Sequence, residues 1–565
     1  MFTAVTLPSL YRTFPDTDPK DGERTHFSAL LNEPFSFQIA YKKDSGRKVD
    51  SIYARITSSL PVSFYYAEPI PVMHFEHPAN EDNARPGLYP DILIPKAVNP
   101  PRKEGGYPWI SYKMEVGERR HLGVAHDCWQ TLFFTVNEKG KRLTAGEYKL
   151  KVDFHDSSTE ELIGSAEVEI ELINALLPVQ KLICTNWFHA DCLCDSHGVE
   201  PMSDDFFAAL YKYAEKAALN GQNMILTPCL TPPLDTTPGE YRRKIQLVGV
   251  KVTGRDEYEF DFSLLKRYID TCKRAGIKYF EVNHLFTQWG AKAAPQIWAE
   301  VKGKEKRIFG WDTPAAGKKY RAFLKEYLPA LTAFFRAEGL GRRVLFHISD
   351  EPDAKMLPSY TAAVEGVGNM LDGFMVGDAL SHFELYKAGV VKTPIVCTDH
   401  ADEFRGKCDD FWCYYTGGQI AKGLSNRLPI ISRQRNRMLG VQMYSAGVKG
   451  FLHWGYNYYY DRQSHGYSDP CLQPGNFLLS CGTSYLVYPA RGLDCYQSVR
   501  QKIFGEAIID HRALCALEGL TSRKRVEAII EKHFGKVDFF TAPTSVEQYL
   551  AFREEVNEAI RRART

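Results

Sequence analysis

The sequence predicts a multidomain β + α/β protein: an N-terminal β-sandwich, then a TIM (β/α)8 barrel, then a C-terminal helical extension. Three observations predict it. Up to about residue 175, apolar and polar residues alternate in runs separated by turn residues. From about Lys181, short apolar runs alternate with amphipathic stretches of helical period, and after about Tyr496 the pattern is helical to the end. With 565 residues the chain exceeds one ordinary core. The expected boundaries are 1–178 for the sandwich, 179–500 for the barrel and 501–565 for helices packing on the barrel.

The sandwich rests on strands such as Phe35–Tyr41, Gly146–Phe154 and Ala166–Leu172, each with period two. The Pro-rich segment from Glu76 to Lys113 has no clear period and is expected to be an elaborated loop. Barrel strands are expected at Leu182–Trp187, Asn223–Thr227, Ile277–Asn283, Val344–Ser349, Gly373–Gly377, Pro394–Thr398, Asp410–Tyr415 and Gly450–Tyr456. Helices between them include Asp205–Leu219, Ser263–Ala275, Lys318–Glu338 and Arg433–Ala446. An insertion after the second strand carries its own strand pair, near Lys244–Val252 and Tyr258–Phe262. Gln497–Leu517 and Val546–Arg562 read as the closing helices.

Bulk properties exclude several classes. With 70 basic and 69 acidic residues the net charge is +1, which gives no footprint for nucleic acid or an anionic membrane. No apolar run has transmembrane length and the start lacks a signal-peptide pattern. Thirteen cysteines suit reduced thiols and a cytoplasmic location. Cys184, His189, Cys192, Cys194 and His197 lack the spacing of a structural zinc site, and Gly417-Gly418 and Gly440 form no phosphate cradle, so no metal or cofactor is expected. Arg433, Arg435 and Arg437 share one helix and read as a solvated face.

The most informative stretch is Val344-Leu345-Phe346-His347-Ile348-Ser349-Asp350-Glu351-Pro352-Asp353. An apolar strand ends in two carboxylates and a proline that cannot continue the ladder, which puts Asp350 and Glu351 at the carboxyl end of strand four. A helix start with Asp350 as N-cap is the plainer alternative. Adjacent side chains on extended backbone face opposite ways, so the pair shares a site only if the chain turns there. Two close acids keep one proton near neutrality, as a general acid requires.

Barrel glycosidases commonly pair an acid after strand four with a nucleophilic Glu after strand seven. Here strand seven reads Asp410-Phe411-Trp412-Cys413-Tyr414-Tyr415-Thr416, with no Glu at its end. A substrate that brings its own nucleophile, such as the 2-acetamido carbonyl of an N-acetylhexosamine, solves the problem. Intramolecular attack reaches effective molarities of ~10⁵–10⁸ M.

The order of sandwich and barrel, together with Trp187-Phe188-His189-Ala190-Asp191, Thr231-Pro232-Pro233-Leu234-Asp235-Thr236, His347-Ile348-Ser349-Asp350-Glu351-Pro352 and Gly447 to Asn457, resembles the DUF4091 group and glycoside hydrolase family 123. That resemblance implies a β-N-acetylgalactosaminidase with substrate assistance. Asp350 would orient the acetamido group, and Glu351 would act as acid and then as base. The expected function is therefore a retaining exo-glycosidase that releases β-linked N-acetylhexosamine, galactosamine favoured, through an oxazolinium intermediate, with a glycan or glycoconjugate as substrate.

Other strand ends supply the expected lining, because aromatic walls and a few polar groups suit a pyranose. Trp187, His189 and Asp191 follow strand one, and Asn283 follows strand three. Trp412, Tyr414 and Tyr415 lie on strand seven; Trp454, Tyr456 and Asn457 on strand eight. On strand seven, alternation lets only some face the lumen. Two rival readings stay open: a glycosidase with a protein nucleophile among Glu281, Asp378 and Asp399, and a carbohydrate-binding barrel without turnover.

Overall fold

A computed structural model describes residues 1–44, 51–73, 85–96, 122–123, 125–421, 423–475 and 479–564. The N-terminal region forms two sheets. The five-stranded sheet runs His26–Leu30, Leu162–Ile173, Gly146–Asp156, Ser51–Ser58, Leu122–Gly123. The seven-stranded sheet runs Phe2–Pro8, Phe35–Lys43, Gln130–Val136, Val62–Val72, Gly87–Lys96, Asp494–Ser498, Tyr488–Ala490. Its last two strands come from far along the chain, just before the helix Val499–Leu520. Within the segment expected to be a loop, Gly87–Lys96 is a strand paired with Val62–Val72, its alternation broken by Pro90 and Pro95. Residues 76–84 and 97–113 of that segment lie outside the described residues.

Between the sheets, apolar alternates such as Phe37, Phe64 and Phe134 interdigitate, the Phe37 and Phe134 rings stacking at 4.9 Å. The opposite face of the seven-stranded sheet is covered too. Tyr65, Leu93 and Phe133 pack against Met438, Val441, Val499 and Ile503. Period two therefore marks not inside and outside but two different interiors: Ser36 and Gln38 are buried along with their apolar neighbours.

The eight expected strands close into a parallel barrel: Ile183–Asn186, Met224–Thr227, Tyr279–Val282, Val344–Phe346, Met375–Leu380, Thr393–Cys397, Trp412–Tyr414, Gly450–His453. Met224, Leu226, Leu345, Ile395, Trp412 and Leu452 fill the lumen, while Ile225, Phe346, Val396, Cys413 and Phe451 face the helices. Gly450 lies beside Trp412; a Cβ there would stand 2.2 Å from the indole, so glycine makes room for the ring. The insertion after strand two holds the expected hairpin, Gly249–Gly254 with Glu257–Asp261, and a second hairpin that follows strand three, Ile297–Val301 with Lys304–Phe309, joins it in one four-stranded sheet.

Three helices end the chain, Val499–Leu520, Arg523–Phe534 and Val546–Arg564. The expected helix over 433–446 is broken at Met438 into Arg433–Arg437 and Leu439–Ala446. Its arginines are not a solvated face, because all three are buried. Arg433 donates to the carbonyls of Ser9, Tyr11 and Pro90, Arg435 to those of Leu424, Ile420 and Ala421, and Arg437 to Glu506 and Asp510. Five fixed N–H donors allow a guanidinium to enter an interior lined with carbonyls and carboxylates. No helix among the described residues is long and apolar enough to cross a membrane, and all thirteen cysteines are free thiols.

Candidate active site

Strand four leaves the ladder under the control of one carboxylate. Asp378, on strand five, accepts from the backbone N–H groups of Ile348 (3.0 Å) and Ser349 (3.2 Å) and from the Tyr360 hydroxyl at 2.5 Å. The chain then turns: Trp289 N–H donates to the Asp350 carbonyl at 3.0 Å, and Glu351 sits at φ +43°, in the left-handed region. This is the turn two adjacent acids need in order to share one face. Glu351 is exposed, and its Oε1 accepts from the Tyr414 hydroxyl of strand seven at 2.6 Å. Burial, and then the charge of Glu351, hold the Asp350 carboxyl well above the usual range. Burial, the Glu351 charge and the bond to it likewise push the Tyr414 phenol up, so it stays a donor.

Below the pair lies a buried charged row. His347 places Nε2 2.7 Å from Glu281 and Nδ1 3.1 Å from Asp378. Burial opposes a charge on the ring, but the bonds to Asp378 and Glu281 prevail and raise His347 to about 10. Glu281 also accepts from Trp187 Nε1 (2.6 Å) and Thr185 Oγ1 (2.5 Å). The His284 ring stacks on His347 at 4.5 Å, and neither of its nitrogens has a partner among the described residues. Burial and the neighbouring His347 keep His284 neutral.

The expected lining residues divide by what holds them. Tyr414 faces the lumen beside the pair, Trp187 lies against the buried row with its ring edge-on to His284 and His347, and Trp454 is a partly exposed wall packed edge-on against Tyr458. Trp412 lies one layer deeper, within the lumen core. His189, Asp191, Asn283 and Asn457 brace loops. Asn457 accepts from His189 N–H (2.8 Å) and donates to its carbonyl (3.0 Å). His189 Nε2 meets the Trp454 carbonyl at 2.8 Å, and burial with the Arg242 charge lowers its ring to about 3. Asp191 is held by Arg242 in a two-pronged pair at 2.8 Å; burial pushes its carboxyl up, but the Arg242 charge wins and keeps it low. Asn283 accepts from Leu230 N–H. Tyr415 and Tyr456 are not brought to the lumen: both sit in the helix-facing core, Tyr415 because it alternates with Tyr414, and Tyr456 because strand eight ends at His453 and the chain has left the strand's alternation.

Of the rival nucleophiles, Glu281 and Asp378 are buried and their oxygens engaged as above, while Asp399 is bound by His400 Nδ1 (2.8 Å) and Gln419 (3.2 Å). His284, His347 and Asp378 each bring one possible ligand atom within 4.8 Å of the others. A cation there would displace the bonds His347 already makes, so these side chains fit a hydrogen-bonded row better than a metal site. The roles of His347, Arg242 and Tyr360 leave no local mark in the sequence, the side-chain partners of the last two lying 18 to 53 residues away.

A closed eightfold barrel with a carboxylate pair at the end of strand four and aromatic walls around it defines an enzyme of the glycoside hydrolase type. The family model "Glycoside hydrolase 123, catalytic domain" matches residues 187–517, and the chain belongs to that family. Among solved structures, a family 123 glycoside hydrolase from Clostridium perfringens, described in terms of glycolipid glycan hydrolysis, covers 100% of this chain and 98% of its own at 13% identity and TM-score 0.72, so the two share the whole fold. A family 39 glycoside hydrolase from Bacteroides cellulosilyticus WH2 covers 69% of this chain and 73% of its own at 10% identity, with TM-score 0.31. No curated protein sequence matches the chain. Its substrates are glycans.

Proposed function

We propose that this glycoside hydrolase is a retaining exo-glycosidase that releases β-linked N-acetylhexosamine, galactosamine favoured, by substrate assistance. One observation carries the reading: Asp350 and Glu351 share the barrel mouth across a left-handed turn, while Glu281 and Asp378, the buried carboxylates nearest below, have their oxygens engaged. Neither of these, nor Asp399 with its bonds to His400 and Gln419, is then free to replace the carboxylate missing after strand seven, and the substrate's acetamido oxygen takes that task. The glycolipid glycan hydrolysis described for the Clostridium perfringens structure supports a glycoconjugate substrate.

In the free enzyme the raised Asp350 carboxyl keeps its proton, and Glu351 accepts from Tyr414. An acetamido N–H approaching Asp350 needs an ionised acceptor, so binding moves the proton to Glu351. Glu351 then protonates the glycosidic oxygen as the acetamido carbonyl attacks the anomeric carbon. Water activated by Glu351 opens the oxazolinium ring with overall retention. Trp187 and Trp454 offer apolar faces for the sugar.

The test is a panel of aryl β-glycosides, with and without the 2-acetamido group, on wild type, Asp350→Asn and Glu351→Gln. Turnover confined to 2-acetamido substrates, with Asp350→Asn nearly as damaging as Glu351→Gln, is expected. Equal turnover of substrates lacking the group sinks substrate assistance.

A further inference from the structure

Strand three ends at Val282, and the chain after it runs along the turn that carries the acid pair. Trp289 N–H donates to the Asp350 carbonyl at 3.0 Å, so the backbones of Trp289 and Glu351 stand one hydrogen bond apart. Ser349 Oγ donates to the Thr287 carbonyl at 2.8 Å, and Ser359 Oγ to the Gly290 carbonyl at 2.7 Å. Ala293 closes the loop on Thr287, donating its N–H to Oγ1 at 3.2 Å and accepting from the Thr287 N–H at 3.0 Å. From the other flank, the Asp235 N–H donates to Gln288 Oε1. Within this fastening Trp289, Gly290 and Ala291 take φ of +59°, +108° and +51°. L residues avoid that region, and such a run persists only where its surroundings impose it.

Most side chains of this segment are buried, Leu285, Phe286, Ala291 and Ala293 among them, yet Trp289 is 37% exposed. Among the described residues no ring stacks on its indole, and no cation or polar group bonds it. Core packing gives no reason for a strained turn that leaves an indole in water. The acid pair does. Glu351 is its exposed member and Asp350 the deeper one. With Asp350 on the acetamido group, the sugar to be released lies on the inner side. The oxygen that Glu351 protonates then carries the leaving group outward, to the rim where Trp289 stands. We propose that Trp289 forms the leaving-group subsite: its indole is the platform for a pyranose, the first sugar beyond the bond that is cut. The apolar face of that pyranose covers the indole while its hydroxyls stay in water. Trp289 thereby selects a glycan leaving group over one without a ring. This rests on Glu351 as the acid of the proposed function.

The test uses two substrates built on whichever sugar the aryl panel shows to be released: a β-linked disaccharide, and the β-glycosyl azide, whose leaving group has no ring. Trp289→Ala and Trp289→Gly, the second suited to the left-handed backbone, should lower kcat/KM about tenfold on the disaccharide and leave the azide unchanged. Trp289→Tyr keeps an aromatic face and should restore most of the loss. An equal fall on both substrates makes Trp289 a brace of the acid turn and overturns the subsite. So does an unchanged disaccharide rate, or a tyrosine variant as poor as the alanine one. Release of a sugar without a 2-acetamido group sinks substrate assistance but leaves this comparison standing.

Discussion

The Tyr414 hydroxyl donates to Glu351 Oε1 at 2.6 Å, joining strand seven to the turn after strand four. Strand seven therefore contributes a donor where other barrel glycosidases supply a carboxylate. Tyr414→Phe should lower kcat about tenfold to a hundredfold and leave KM within a fewfold, because the bond orients the carboxyl proposed as the acid. Steady-state kinetics on a 2-acetamido aryl glycoside decide it, and an unchanged kcat removes Tyr414 from the machinery.

Asp350 is held with its proton by burial and by Glu351, above its unfolded value. Such a group costs stability as pH rises through the window between the unfolded and folded values, since the native state retains a proton the unfolded state has lost. Asp350→Asn carries no such cost. The variant should melt above wild type at neutral pH, with the difference shrinking toward pH 4, while its activity collapses. Melting curves across that range test the sign.

His347 has the opposite balance. Its folded value of about 10 lies above the ordinary imidazole value, so its contribution is complete below about pH 6.5 and declines as pH rises toward 10. His347→Asn leaves Glu281 and Asp378 buried without their cation and should cost about 3–5 kcal/mol at pH 6. Urea unfolding at pH 6 and pH 10 should show wild type losing much of its advantage at the higher pH.

Arg437 bonds Asp510 through Nε at 2.6 Å and Glu506 at 2.8 Å, and Arg553 links Asp510 onward to Glu33 in the sandwich. Arg437→Met should destabilise by about 3–5 kcal/mol, because two buried carboxylates lose a partner. Activity per folded molecule should hold. Urea midpoints and active-site titration separate the two effects.

The barrel was legible because each strand is an apolar run too short for a helix, and its register brings every strand within a few residues of where the sequence places it. The acid pair was legible because Pro352 ends the run beside it. The arginines of 433–437 were not: Arg433 and Arg437 bond Ser9, Pro90, Glu506 and Asp510, more than 60 residues away, Arg435 bonds carbonyls 11 to 15 residues back, and a local pattern of charges is the same for a wet face and a buried one. Glu281 and Asp378 looked like nucleophiles for a similar reason. A carboxylate at a strand end has one appearance in sequence, whether it faces a substrate or, like Asp378, accepts from two backbone N–H groups of the next strand. Strands Tyr488–Ala490 and Asp494–Ser498 were not legible because they are short and Gly87–Lys96, the strand that ties the second of them into the sheet, lies about 400 residues earlier.

That returning strand has a consequence for how such enzymes diversify. Gln497 and Ser498 pair with Leu93 and Ile92, and two residues later Arg500 grips Asp91 at 2.9 Å. Severing the chain between sandwich and barrel would tear a ladder and strand a charge on each fragment. Glycan-binding modules strung on linkers can be gained, lost or traded by recombination; this sandwich cannot. It is inherited with its barrel, and a new specificity in this lineage has to be written into the loops at the barrel mouth.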